Sequence, residues 1–447
     1  MYKTKPLPVS EDDLLSAKSG PVIERKATPV SADDDDEKNE RTFVRGKLLR
    51  RIRRFIEENG PLAAMFAVVF VNLVGFGIVV PLIPFFAQKL GAQPWQVTLM
   101  FTTYSLGQCF AEPFCGRLSD RIGRKPILLV STGLSVIFYC CLAFSPNIWV
   151  AIFLRFFSGL SSGNISTIQG YVSDVSKPEQ RAARMSMIGA AFSLGFVIGP
   201  FIGGILTQEH GEHPYRVPLF AAAIMSAIAT FGVMLYVKES RQRALVSTPQ
   251  INLFRTAIEG FRNPVIFRVI LATLCYMMAF AGLESTFGLW AEARYHWGAK
   301  QVGAIFLFIG VTAAVMQMLV MRPLVRRYGE SKVLAGGLGL FGLSFILQGI
   351  NHSAWLITPL VMLGTLGQAV IFSSICAIIS TTTSPDRQGA MLGLNMSTGA
   401  IARITGPMLA GYLFSILGPD GPLWMGAAMT LPAAILALKA GRQQRRV

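Results

Sequence analysis

From residue 61 to residue 439 the sequence keeps returning to apolar runs long enough to cross a bilayer, which takes roughly 20 residues at ~1.5 Å each. Twelve such runs can be marked, at 61–86, 97–116, 126–145, 148–171, 184–206, 216–237, 266–290, 302–321, 332–350, 354–380, 389–415 and 421–439. Only 15% of the 447 residues are charged and 52% are hydrophobic, against about 25% charged in a soluble domain. In lipid every backbone polar group must be satisfied within the protein, and successive apolar runs of this length do that as helices. The chain therefore reads as an all-α polytopic membrane protein with twelve transmembrane helices. Ser145–Pro146 and the run 418–422, GPDGP, mark tight turns between spans.

The formal net charge is +16. On a soluble chain that would suggest nucleic acid, but no basic stretch here is interleaved with aromatics as single-strand binders require. The cations instead collect in alternate loops. Loop 2–3 carries Arg117, Arg121, Arg124 and Lys125; loop 4–5 carries Lys177, Arg181 and Arg184; loop 8–9 carries Arg322, Arg326, Arg327 and Lys332. Loops 3–4, 9–10 and 11–12 carry none, and loop 1–2 has Lys89 alone. Even-numbered loops and both termini are expected on the cytoplasmic side, most simply in a bacterial inner membrane. Residues 1–43, with the run SADDDDEKNE, read as a disordered cytoplasmic tail. Residues 44–60 read as a basic amphipathic helix on an anionic leaflet, with Leu48, Leu49, Ile52 and Phe55 on one face.

The longest connection, 238–265, is polar and divides the spans into 61–237 and 266–440, with a short tail at 441–447. The two parts echo each other. GPFIGG at 199–204 in span 5 returns as GPMLAG at 406–411 in span 11, and GRLSDRIGRK at 116–125 returns as RPLVRRYGES at 322–331. Two pseudo-symmetric six-helix bundles with a site between them describe a secondary transporter.

Charges inside spans are costly and mark function. Arg155 lies seven residues into span 4, about 10 Å deep. Glu284 is expected six residues before the far end of span 7, about 9 Å deep. Together they have the pieces of a proton-coupling switch. Glu112 shares a helical face with Gln108 and Gly116. It either faces the interior or is an interfacial acid paired with loop cations. Arg403, midway through span 11, has no obvious partner in the sequence. Asn72, Gln108, Gln317 and Arg403 are candidates for substrate contact. Gly195, Gly199, Gly203 and Gly204 permit close helix approach, and Pro200 bends span 5.

Other chemistry finds no constellation. The six cysteines, all within apolar runs, form no CxxC or loop pair, so neither a disulfide framework nor a zinc site is expected. EHGEH at 209–213 is a weak metal pattern. No histidine is placed to serve a nucleophile. Neither an enzyme nor a bound cofactor is expected.

GRLSDRIGRK at 116–125 resembles the loop 2–3 signature of the major facilitator superfamily. RFFSG at 155–159 and GFVIGPFIGG at 195–204 resemble the span-4 and span-5 motifs of its drug:proton antiporters. GFGIVVPLIP at 75–84, RYHWGAKQVG at 294–303 and GAIARITGP at 399–407 are similar to segments of tetracycline exporters. The resemblance spans about residues 61 to 440. It implies the major facilitator fold, alternating access, and proton-driven export of small molecules by a chain working as a monomer in the bilayer. It gives Gly116, Asp120, Arg121, Gly123 and Arg124 a gating role, with Asp120 meeting the opposite half near the start of span 11. It implies an antiport role for Gly195, Gly199, Pro200, Gly203 and Gly204. Where tetracycline exporters place membrane aspartates in spans 1, 3 and 9, this chain has Asn72, Phe138 and Leu340, and Ala313 stands where they have a span-8 histidine. The coupling acid is then Glu284 or Glu112. Two other readings stay open: a proton-independent uniporter or importer, and a non-transporting membrane sensor or scaffold.

Overall fold

Twelve long helices account for nearly all of the described residues, which in this computed structural model are 60, 62–177, 180–208, 211–240, 260, 262–384 and 387–444. The expected tail 1–43, the basic helix 44–60 apart from Gly60, and most of the linker 238–265 lie outside the described residues. The helices are α1 (Leu62–Lys89) and α2 (Pro94–Ile122), α3 (Arg124–Ala143), α4 (Ile148–Asp174), α5 (Arg181–Leu206) and α6 (Arg216–Tyr236), then α7 (Pro264–Tyr295), α8 (Ala299–Tyr328), α9 (Glu330–Ile350), α10 (Ala354–Thr382), α11 (Gln388–Leu417) and α12 (Gly421–Gln444).

Among the described residues, eleven helices are long and apolar enough to cross a membrane. The remaining one, α2, has 29 residues, about 43 Å at ~1.5 Å per residue. Its lower apolarity has a reason: it carries Thr98, Thr102, Gln108, Glu112 and Ser119 and packs on protein through α4 and α11. Apolar side chains also cover much of the outside. Trp149, Phe153, Phe231, Leu235, Met318 and Trp355 are all exposed, far more apolar surface than a soluble monomer shows and what a bilayer would cover.

Prolines and glycines shape the helices locally. Pro81 lacks the N–H an α-helix would use, and α1 tightens into a 3-10 turn at Val80–Leu82. α4 breaks between Ser161 and Ile165, and α8 contains a π-helical stretch at Met316–Val320. The two loop echoes share a backbone solution. Gly123 and Gly329 each end one helix and begin the next with positive φ, 112° and 81°, a region where only glycine is unstrained.

Within the first six helices α2 packs on α4, and α3 on α4 and α6; within the second six α7 packs on α11 and α12, and α9 on α10 and α12. The halves meet through α2 with α11, α5 with α8, and α1 with α7. Exchanging the halves maps each of the first two pairs onto the other. The glycine echoes make contacts within each half, at Gly199 and Gly406, and between the halves, at Gly204 and Gly411. A Cβ on Gly199 would lie 2.7 Å from the Gly77 Cα on α1, and one on Gly204 2.9 Å from the Ala299 carbonyl on α8. In the repeat, a Cβ on Gly406 would lie 2.6 Å from the Met278 carbonyl on α7, and Gly411 abuts Thr98 on α2. All of the cross-half contacts just named lie toward the end away from the basic loops. Towards the basic end, Cβ positions on Gly189, Gly389 and Gly393 meet open space.

Candidate functional site

The α2–α4 pair builds the core of the site. A Cβ on Gly159 would run into the Tyr104 carbonyl, and one on Gly107 into that of Phe156. Glycine at both places lets the two backbones touch. Arg155, one turn before Gly159, then lays its guanidinium over the Tyr104 ring, 4.3 Å from its centroid, and is 1% exposed. Its Nε and Nη1 are buried without a hydrogen-bond partner. Stacking on a desolvated ring contributes about 2 kcal/mol, less than the several kcal/mol an isolated buried ion costs. Arg155 therefore needs negative charge nearby.

That charge comes from the other half. Glu284 on α7 is half-buried and interacts electrostatically with Arg403 on α11 and with Arg155. Glu112 on α2 faces Arg403 as well. Two acids and two arginines thus converge from α2 and α4 of one half and α7 and α11 of the other. Among the described residues no ion pair of 4 Å or less joins them, so the charges sense each other without being locked. Tyr104 and Tyr139 face Arg155, while Tyr276 on α7 lies beside Gln368 of α10 and within the field of Glu284.

Several expectations change on this geometry. Arg403, without a partner in the sequence, is the cation that both acids face. Glu112 belongs with it rather than with loop cations. Helix α7 runs on to Tyr295, so Glu284 sits 11 residues before its end, about 16 Å along the axis and deeper than expected. Asn72 and Gln108 are half-buried and Gln317 is exposed on the π-helical stretch; no hydrogen bond joins them to the cluster. Tyr104, Tyr139, Tyr276 and Gln368 were missed. Their only sequence signal is a hydroxyl or amide group inside an apolar run.

The α2–α3 turn forms a second polar knot at the basic end. Arg124 is buried at 8% exposure. It pairs with Asp120 at 2.9 Å and with Asp174 of α4 at 3.1 Å, and it donates to Ser119 at 2.6 Å. The Arg124 and Lys125 backbone N–H groups donate to the Glu239 carboxylate, just past α6, at 2.9 and 3.1 Å. Asp120 is therefore not alone: Asp174 and Glu239 close the turn from distant parts of the same half. Arg121 is exposed, and a Cβ on Gly116 would touch Ser166 of α4 at 3.2 Å.

Gly123 tests this turn. Its φ of 112° penalises any side chain, and a Cβ there would sit 2.5 Å from the Glu239 carboxylate. Gly123→Ala is expected to cost roughly 1–3 kcal/mol, read as a lower melting temperature in detergent. Gly329→Ala has the same backbone problem but open space around it and is expected to lose less.

The model of the Major Facilitator Superfamily matches residues 65–322 and 295–446, and the chain belongs to that superfamily: it is a multi-pass membrane transporter of small molecules and not an enzyme. It is 26% identical to the class C tetracycline resistance protein of Escherichia coli over 87% of this chain and 99% of that one. It is 28% identical to major facilitator superfamily domain-containing protein 10 of Mus musculus over 76% of this chain and 78% of that one. Among solved structures it resembles the human organic anion transporter MFSD10 (TETRAN), with a TM-score of 0.63 and 23% identity over 85% of this chain and 99% of that one. It also resembles a bacterial homologue of the human lysosomal transporter Spinster in an inward-facing, occupied conformation, with a TM-score of 0.69 and 12% identity over 85% of this chain and 96% of that one.

Proposed function

We propose that this transporter exports small amphipathic molecules in exchange for protons. The observation that carries the reading is the cluster of Glu284, Glu112, Arg155 and Arg403 at the junction of the halves. With both acids ionised its four charges sum to zero. A proton on Glu284 leaves the two arginines in excess. Departure of that proton, or arrival of a substrate group that competes for the arginines, restores the balance. Each event therefore biases which end of the junction is favoured, and the coupling arises from competition for the same charges.

Two further features support the reading. The glycine face of α5 between α1 and α8 makes a tight seal at one end, as an antiporter needs to prevent proton leak. Gly116, Asp120, Arg121, Gly123 and Arg124 act as the gate at the other. The relatives bound the substrate class. Tetracycline resistance proteins point to amphipathic drugs. A relative described as an organic anion transporter points to an acidic group, which the unpartnered edge of Arg155 would suit.

The test is proton release from acid-loaded inverted vesicles on adding a panel that includes tetracycline and aromatic carboxylates. At least one compound is expected to dissipate the gradient. If labelled compounds cross while none moves protons, antiport is wrong and a uniporter replaces it.

A further inference from the structure

Away from the central cluster, a cavity of about 320 Å³ lies at the end opposite the basic loops. Gln88 of α1 and Pro94 of α2 line it from one half; Leu289 and Glu292 of α7, His296 at the end of α7, and Phe414 of α11 line it from the other. The volume is within the range of small-molecule sites. Its walls belong to both halves, so alternating access would part them when this end opens.

Glu292 is the informative group. Its Oε2 is buried with no hydrogen-bond partner. The nearest strong cation in sequence, Arg294, pairs with Asp420 at 3.6 Å and contacts the His352 ring at 3.0 Å, while its Nε is itself buried without a hydrogen-bond partner. Trp290 also donates to Asp420, at 2.9 Å. A carboxylate on the cavity wall with one oxygen lacking a donor favours a cation beside it. One carboxylate and one imidazole are too few for a metal site, and no cluster of three such ligands exists among the described residues. A carboxylate, an amide and an aromatic ring among apolar walls instead suit a cation with an apolar body.

We propose that this cavity is a second binding site, for an amphipathic organic cation such as a protonated amine or quaternary cation, and that its occupation holds the cavity's own end, away from the basic loops, closed. A ligand that touches both halves in one state alone shifts the population toward that state. Such a cation therefore slows transport from the side where substrate leaves. The inference rests on alternating access but not on what is exported, so a negative proton-release assay would leave it standing.

The probe is radiolabelled tetraphenylphosphonium, bound to the purified full-length chain. Saturable binding is expected, weakened about tenfold or more by Glu292→Gln. A second readout is the alkylation of Thr98→Cys, followed by peptide mass spectrometry. Thr98 packs against Gly411 where the halves meet, so alkylation should slow when the probe is bound. Should Glu292→Gln fail to fold, Gln88→Leu and Phe414→Leu test the cavity from both halves. The proposal is overturned if Glu292→Gln binds as wild type does, or if the probe speeds alkylation.

Discussion

Glu284→Gln is expected to abolish proton-coupled flux while leaving the chain able to bind substrate. Glutamine keeps the shape and loses the proton site, so the variant should dissipate no acid gradient for any compound that wild type exports. The loss should be all but complete, because the change removes the coupled step itself and not one contact among many. The structure adds a second consequence. Arg155 and Arg403 would be left with Glu112 as the remaining acid facing them, and removing one charge from a partly buried cluster that no close ion pair locks costs roughly 1–3 kcal/mol. Lower stability is therefore expected alongside lost coupling. The double variant Glu284→Gln/Arg403→Gln separates the two effects. It should recover melting temperature by restoring neutrality, and it should not recover coupling. If the single variant releases protons as wild type does, Glu284 is structural and Glu112 becomes the coupling candidate.

Gly199→Leu is expected to be the most damaging change on the α1–α5 face. A Cβ at Gly199 would lie 2.7 Å from the Gly77 Cα and the Val74 carbonyl, and one at Gly203 2.5 Å from the Ile78 carbonyl. Backbone atoms cannot rotate aside, so α5 must move bodily from α1. Overpacking by even one carbon costs about 1–3 kcal/mol, and leucine adds three more. Gly406→Leu should act alike on α11, since its Cβ would lie 2.6 Å from the Met278 carbonyl. The control is Gly189→Leu, on α5 in open space, where a change within about 0.5 kcal/mol is expected. Monodisperse yield and melting temperature measure the packing; passive proton leak into vesicles measures the seal. A Gly199→Leu chain with normal yield and a tight membrane would show that α1 and α5 need not touch.

The twelve spans were legible in the sequence because bilayer thickness sets a length that no soluble core imposes. Only α2 tested that rule, since a helix that packs on protein on two sides can carry glutamine, glutamate and threonine. The alternate basic loops were legible for a similarly local reason. So were the two halves, because a repeat writes itself into the order of residues. The glycines of span 5 could be read as places of close approach, since no other residue allows it, but not which helices approach. That needed the fold, which sets Gly199 against α1 and Gly204 against α8. The same limit separates the two charge clusters. Arg155 and Glu284 stand out as costly ions in apolar runs, whereas Arg403 looked solitary and Asp120 looked like a lone acid. Their companions lie far along the chain: Glu112 and Glu284 for Arg403, Asp174 and Glu239 around the Asp120 turn. Sequence fixes which charges must find partners, because the membrane penalises each one singly. Tertiary structure alone decides which partners they find, because that depends on how helices from distant parts of the chain are brought side by side.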